Sequence, residues 1–153
     1  MRNFPNFIDS YLTFTENQES SVRIHRWVAI SIIAAALERK VWLNQGHWLL
    51  FPNLYVFIIG PSGIVRKSTS TGIGVDLIRS LPGFKLMSER VTAASLIAQL
   101  ERSGRKFALK DGTEMRQSAV FSYASELSIF LGEVFGSISE LLTTFYDCAP
   151  NDW

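Results

Sequence analysis

Apolar residues recur along this chain at two periods, and the changes between them predict the order of elements. Phe7, Ile8, Tyr11 and Leu12 fall at i, i+1, i+4 and i+5, one stripe of a short helix that Pro5 can open. Polar residues 15–21 interrupt the stripe. Residues 21–40 place Ile24, Val28, Ile32 and Ala35 on one face and Ala29, Ile33 and Ala36 on the next, which predicts a helix covered on most sides. Two short apolar runs, 40–43 and 47–50, flank Asn44-Gln45-Gly46, a hairpin signal with glycine where a positive φ is needed.

Residues 53–59 (NLYVFII) read differently. They are almost wholly apolar and β-branched or aromatic, the composition of a strand buried on both faces of a parallel sheet. Residues 68–81 predict a helix closed by Pro82-Gly83. Thr92 can cap another, whose Ala93, Leu96, Ile97 and Leu100 lie at i, i+3, i+4 and i+7. Residues 106–109, a turn at Asp111-Gly112, and residues 118–124 (SAVFSYA) predict one short and one longer strand. Ser137-Ile-Ser-Glu140 has the form of a capping box, with Ile138, Leu141, Leu142 and Phe145 continuing an apolar face behind it.

Composition narrows the class. With 153 residues, 47% hydrophobic and 19% charged, the chain is expected to fold as one packed unit, an N-terminal helical segment and hairpin (1–52) on a core (53–153). The formal charge of +1 supplies no net field toward nucleic acid or an anionic membrane. Cys148 is the single cysteine, so an internal disulfide is excluded and a reducing cytoplasm is expected. The apolar stretch 27–37 falls short of the roughly 20 residues of a membrane span. Residues 1–10 carry Asp9 and two asparagines where an export signal has an apolar core.

The chemistry is concentrated in Gly60-Pro61-Ser62-Gly63-Ile64-Val65-Arg66-Lys67-Ser68-Thr69, between the predicted strand and a predicted helix. That is the setting of a phosphate-binding loop. Backbone N–H groups and the helix N-terminus face the phosphates, the lysine reaches the outer phosphate oxygens, and the following hydroxyl binds Mg²⁺. Gly60 and Gly63 would shape the loop, Lys67 hold the nucleotide and Ser68 the metal. The usual G-x-x-x-x-G-K-[ST] pattern is not met in full: Pro61 and Arg66 stand where its two glycines belong, and Gly60 comes one position early. Either the loop is one residue longer, or Arg66 takes a glycine-like conformation and offsets the cost with a phosphate contact. An ordinary turn with a solvated Arg-Lys pair is the plainer alternative.

Such a site also needs an acid on a neighbouring strand. Glu126, after the apolar residues 120–124, is the candidate for polarising water and sharing Mg²⁺. Ser125 precedes it where many relatives of this kind carry a second acid. A helix-start glutamate is its structural alternative. Glu133, Asp147 and Asp152 could line the cleft but fit surface carboxylates better, and His25 and His47 lack metal-ligand spacing. Trp42, Trp48, Phe51 and Tyr55 suit core packing better than base stacking. Arg102, Arg105, Lys106 and Lys110 form a local basic patch, a solvated edge or a nucleic-acid contact.

Lys-Val-Trp-Leu (40–43), Pro-Asn-Leu-Tyr-Val (52–56), the loop 60–69, Ala-Ser-Glu-Leu-Ser-Ile-Phe-Leu-Gly (124–132) and Tyr146-Asp147-Cys148 together resemble the P-loop ATPase domain of phage- and plasmid-encoded primase-helicase-like proteins. The resemblance implies a three-layer α/β P-loop NTPase fold of the RecA/AAA+ kind. It also implies an ATPase that binds ATP and Mg²⁺ and works on DNA during replication of a mobile element, as a ring of like subunits. Lys67 and Ser68 would take the nucleotide and metal roles, and Glu126 the acidic position; the Arg-Lys-Ser form of the loop looks like a variant seen in the family. Domains of this family continue past the 146–148 region into strands carrying a polar sensor and an arginine for the neighbouring subunit. The sequence therefore reads as the front part of a longer protein, for which a nucleotide-binding but catalytically silent module is the alternative.

Overall fold

Asn6 starts the first helix. Its side chain accepts the Asp9 N–H at 2.9 Å, and α1 runs Phe7–Phe14. The computed structural model describes residues 6–81, 83–84, 86–87, 89–108, 112–131 and 135–147, so Pro5, Pro82, Lys110, Asp111, Glu133, Cys148 and Asp152 lie outside the described residues. Among the described residues the elements continue as α2 (Val22–Leu37), β1 (Leu43–Asn44), β2 (Leu49–Leu50), α3 (Lys67–Arg79), α4 (Ala93–Ser103), β3 (Arg105–Ala108), β4 (Glu114–Gln117), α5 (Leu127–Leu131) and α6 (Phe135–Asp147). The chain divides into two compact units.

The first unit joins Met1–Leu37 with Leu54–Phe84. Here α2 packs on α1 and on α3. His25, Val28, Ala29 and Ile32 form a buried stripe, at i, i+3, i+4 and i+7, and Ala34, nine residues past His25 and so on the opposite side, is buried as well, while Val22 and Trp27 are exposed. The second half of the helix is thus covered on opposite sides, and its first half along one stripe. Tyr11, Val75 and Ile78 complete this core. Gly74 of α3 abuts Val28 so closely that a Cβ at this position collides with it. Gly74→Ala is expected to cost about 1–3 kcal/mol through overpacking, read as a thermal midpoint lower by roughly 2–4 °C for each kcal/mol in a chain of this size.

Residues 54–59 belong to this unit but carry no β-ladder, and Leu54, Tyr55, Phe57 and Ile59 are exposed, Ile59 to 93%. The expected strand buried on both faces is not what these residues form here. High β-propensity expresses fit to neighbouring strands, and the described residues of the first unit contain no strand to pair with.

The second unit joins Glu38–Asn53 with Lys85–Trp153. The β1–β2 hairpin pairs Leu43 with Leu50 and Asn44 with Leu49. Its loop turns at Gly46, φ 86°, whose N–H donates to the Asn44 side chain at 2.8 Å. Thr92 caps α4 as expected, accepting from the Ser95 N–H at 3.2 Å. Two other expectations are corrected. The longer strand expected at residues 118–124 does not form, and β3 pairs instead with the polar strand Glu114–Gln117, from Arg105↔Gln117 to Ala108↔Glu114, which the sequence did not mark. A two-stranded ribbon with an exposed face requires no apolar run, so composition does not mark it. The capping box expected at Ser137 does not mark the start of α6, which runs from Phe135 with Ser137 inside it.

Residues 118–124 instead contribute one parallel bridge, Leu86↔Phe121, with the Met87 N–H donating to the Phe121 carbonyl at 2.8 Å. Met87, Val91 and Leu96 form the core beside this bridge, and Val120, Phe130, Leu142 and Phe145 pack against it. Glu38, at φ 51°, holds Lys40 at 3.0 Å, Arg105 at 3.8 Å and the Gln117 amide at 3.4 Å.

Candidate functional site

Residues 60–66 make a closed loop ahead of α3. A turn over 62–64 bends the chain at Gly63, φ 75°. The ends then meet: a Cβ on Gly60 would come within 3.1 Å of the Val65 side chain, so only glycine fits without displacing it. Arg66 adopts the left-handed conformation, φ 50° and ψ 36°, at the N-cap of α3. For a residue with a side chain this costs on the order of 1–2 kcal/mol. Of the two routes offered by the sequence, the backbone shows the second: Arg66 stands in a glycine's conformation.

Lys67 closes the loop from the other side. Its Nζ donates to the Gly60 carbonyl and, at 3.5 Å, to the Pro61 carbonyl, so the ammonium spans the mouth of the loop. Arg66 provides no side-chain cap to α3, and the first N–H groups of a helix have no partner within it. A cation and an uncapped helix start thus share one turn of chain. Ser68 and Thr69 are exposed in that turn, whereas Ser70 is fully buried.

What fixes this geometry was not legible in the motif. The Arg66 carbonyl accepts from Ser20 Oγ at 3.2 Å and Ser70 Oγ at 3.4 Å, and the Arg66 Nε donates to the Glu19 carboxylate at 2.9 Å. Behind them, His25 Nε2 lies 3.5 Å from Ser70 Oγ. With Ser70 donating to Arg66, the histidine must donate from Nε2. Glu19, Ser20, His25 and Ser70 leave no signal in the sequence, because no spacing rule joins the segment before α2 to the loop.

Burial removes water from His25 and lowers its pKa, and it pushes the Tyr11 hydroxyl, whose ring is 6.3 Å from the imidazole, up to about 12. The imidazole is therefore neutral in the fold. As the pH drops below about 6.5 the unfolded chain takes up a proton that the folded chain refuses, and stability falls. The thermal midpoint is expected to decline between pH 7.5 and pH 5.5, with a shallower slope in His25→Gln.

Glu126 belongs to the second unit, just before α5. Its carbonyl accepts the Ile129 and Phe130 N–H groups at 3.2 and 3.3 Å, and its exposed carboxylate accepts from Ser128 Oγ at 3.4 Å. Ser125 donates to the carboxylate of Glu89 at 3.2 Å. Glu89, distant in sequence, thus brings a second acid to the Ser125-Glu126 step where the sequence offers only a hydroxyl.

The expected core packing of the aromatic residues is not observed: Trp42, Trp48 and Tyr55 are exposed. Trp42 and Phe51 meet as a tilted pair with ring centroids 6.4 Å apart, and the Arg39 guanidinium lies 4.3 Å from the centre of the Phe51 ring. Within the basic patch Arg105 faces Glu38 and Lys106 faces Glu114, which reduces its local field. Asp147 is the last residue of α6. No group of three or more His, Cys, Asp or Glu among the described residues is arranged around a metal position. No helix among them is long and apolar enough to cross a membrane. No protein family, curated protein or solved structure compared with this chain matches it.

Proposed function

We propose that residues 60–69 bind the phosphates of ATP, and that the chain is the nucleotide-binding part of an ATP-hydrolysing, helicase- or primase-like protein of mobile-element DNA replication, acting in the cytoplasm. The observation that carries this reading is Lys67 Nζ turned back onto the Gly60 carbonyl across a loop that ends in an uncapped helix start. An ammonium at that position meets outer phosphate oxygens, while loop and helix N–H groups surround the inner ones. In this reading the loop and α3 belong to a three-layer α/β core of the P-loop kind, as the family resemblance implies.

The Ser68 hydroxyl in the first unit and the Glu126 carboxylate in the second are each a hard oxygen of the kind magnesium takes alongside phosphate and water. Ser68 is exposed in the turn that follows Lys67, which suits such a ligand. Bound there, the metal would neutralise phosphate charge. Glu126 would accept a proton from the attacking water, and Lys67 would hold the transferring phosphate. DNA and a ring of like subunits enter through the family resemblance alone.

The test is titration with a fluorescent ATP analogue, with and without Mg²⁺. Saturable, Mg²⁺-sensitive binding that disappears in Lys67→Ala supports the reading. No binding to the unmodified protein overturns it.

A further inference from the structure

Arg66 is held in two different ways, and the difference points to a role. Its backbone is pinned: the carbonyl accepts from Ser20 Oγ and Ser70 Oγ, both buried, and from the Ser70 N–H at 3.3 Å. Its side chain is only tethered. The guanidinium meets Glu19 at 2.9 Å, but the two side chains are 55% and 75% exposed, and an ion pair so open to water is worth at most about fivefold in an equilibrium constant. The loop can therefore keep its shape while the guanidinium changes partner. A phosphate offers the arginine fork two parallel charge-assisted hydrogen bonds, a stronger arrangement than one contact to an exposed carboxylate.

We infer that Arg66 contacts the terminal phosphate of a bound nucleoside triphosphate, and that Glu19 competes for its guanidinium and so sets the preference for triphosphate over diphosphate. The inference rests on the P-loop reading of residues 60–69. Loop amides enclose the inner phosphates in such a site, which leaves the terminal phosphate, with the largest charge, to a side chain reaching from the loop's end. An arginine in a left-handed conformation is then explained: its charge makes a contact that a glycine at this position cannot.

Arg66→Gly removes the guanidinium and relaxes the backbone, since glycine takes a positive φ without strain. Arg66→Asn, also tolerant of this region, provides a second reading. Affinities for MgATP and MgADP are measured by titration for these variants, for Glu19→Gln, for Glu19→Gln combined with Arg66→Gly, and for Lys67→Ala. Both Arg66 variants are expected to weaken ATP about tenfold or more and to leave ADP within about twofold. Glu19→Gln is expected to tighten ATP up to about fivefold, and to do nothing once Arg66 is glycine. Equal losses for ATP and ADP, or a Glu19→Gln effect that persists without Arg66, overturn the inference while Lys67→Ala still upholds the phosphate loop. If the unmodified protein binds neither nucleotide, the phosphate-loop reading fails and the inference falls with it.

Discussion

Lys67→Ala is expected to weaken MgATP binding by about a hundredfold or more, with little change in thermal midpoint. The reason lies in what the ammonium does in the fold. It donates to the Gly60 and Pro61 carbonyls, contacts at a partly exposed surface whose loss exposes two acceptors to water at small cost. Toward a nucleotide the same group would make charge-assisted hydrogen bonds to phosphate, each worth about 1.5–3 kcal/mol. Losing two of them amounts to a hundredfold or more, since each 1.4 kcal/mol is tenfold. Calorimetric titration and thermal unfolding on the same preparations separate the two effects. Equal affinity in variant and parent would leave residues 60–69 as an ordinary turn.

Glu126→Gln is expected to lower ATP turnover by roughly a hundredfold or more while leaving ATP affinity within about twofold. Glutamine keeps the length and an acceptor for Ser128, whose hydroxyl lies 3.4 Å from the carboxylate, and the helix start depends on the Glu126 backbone carbonyl rather than its side chain. Only the capacity to take a proton is lost. In an active enzyme the nucleotide then stays bound and uncleaved, which a single-turnover assay detects directly. If the parent protein binds ATP without cleaving it and the variant is indistinguishable, the silent binding module is the correct reading.

Local signals in the sequence located the helices well. The stripe from Phe7, the Thr92 cap and the run from Ile138 to Phe145 all act within three or four residues of themselves, so the chain carries them wherever it folds. Gly46 marks a turn for the same reason. The misses share the opposite character. Ser137-Ile-Ser-Glu140 has the form of a cap, yet α6 runs from Phe135, with Ile138 buried within it. β4 is polar and gives no strand signal of its own, because its partner, not its composition, makes it a strand.

The site divides along the same line. By itself the sequence determined the order of loop, lysine, hydroxyls and helix in residues 60–69, because a loop motif of this kind is written in adjacent residues. The tertiary structure alone decided how an arginine is tolerated in a glycine's conformation: Ser20 and Glu19 reach Arg66 from 46 and 47 residues away, and buried Ser70 joins them beside His25. It also decided that Glu89 meets Ser125 across 36 residues. Side-chain periods and caps are local in sequence, whereas hydrogen bonds and ion pairs are local only in space, and which distant residues become neighbours depends on how the helices pack.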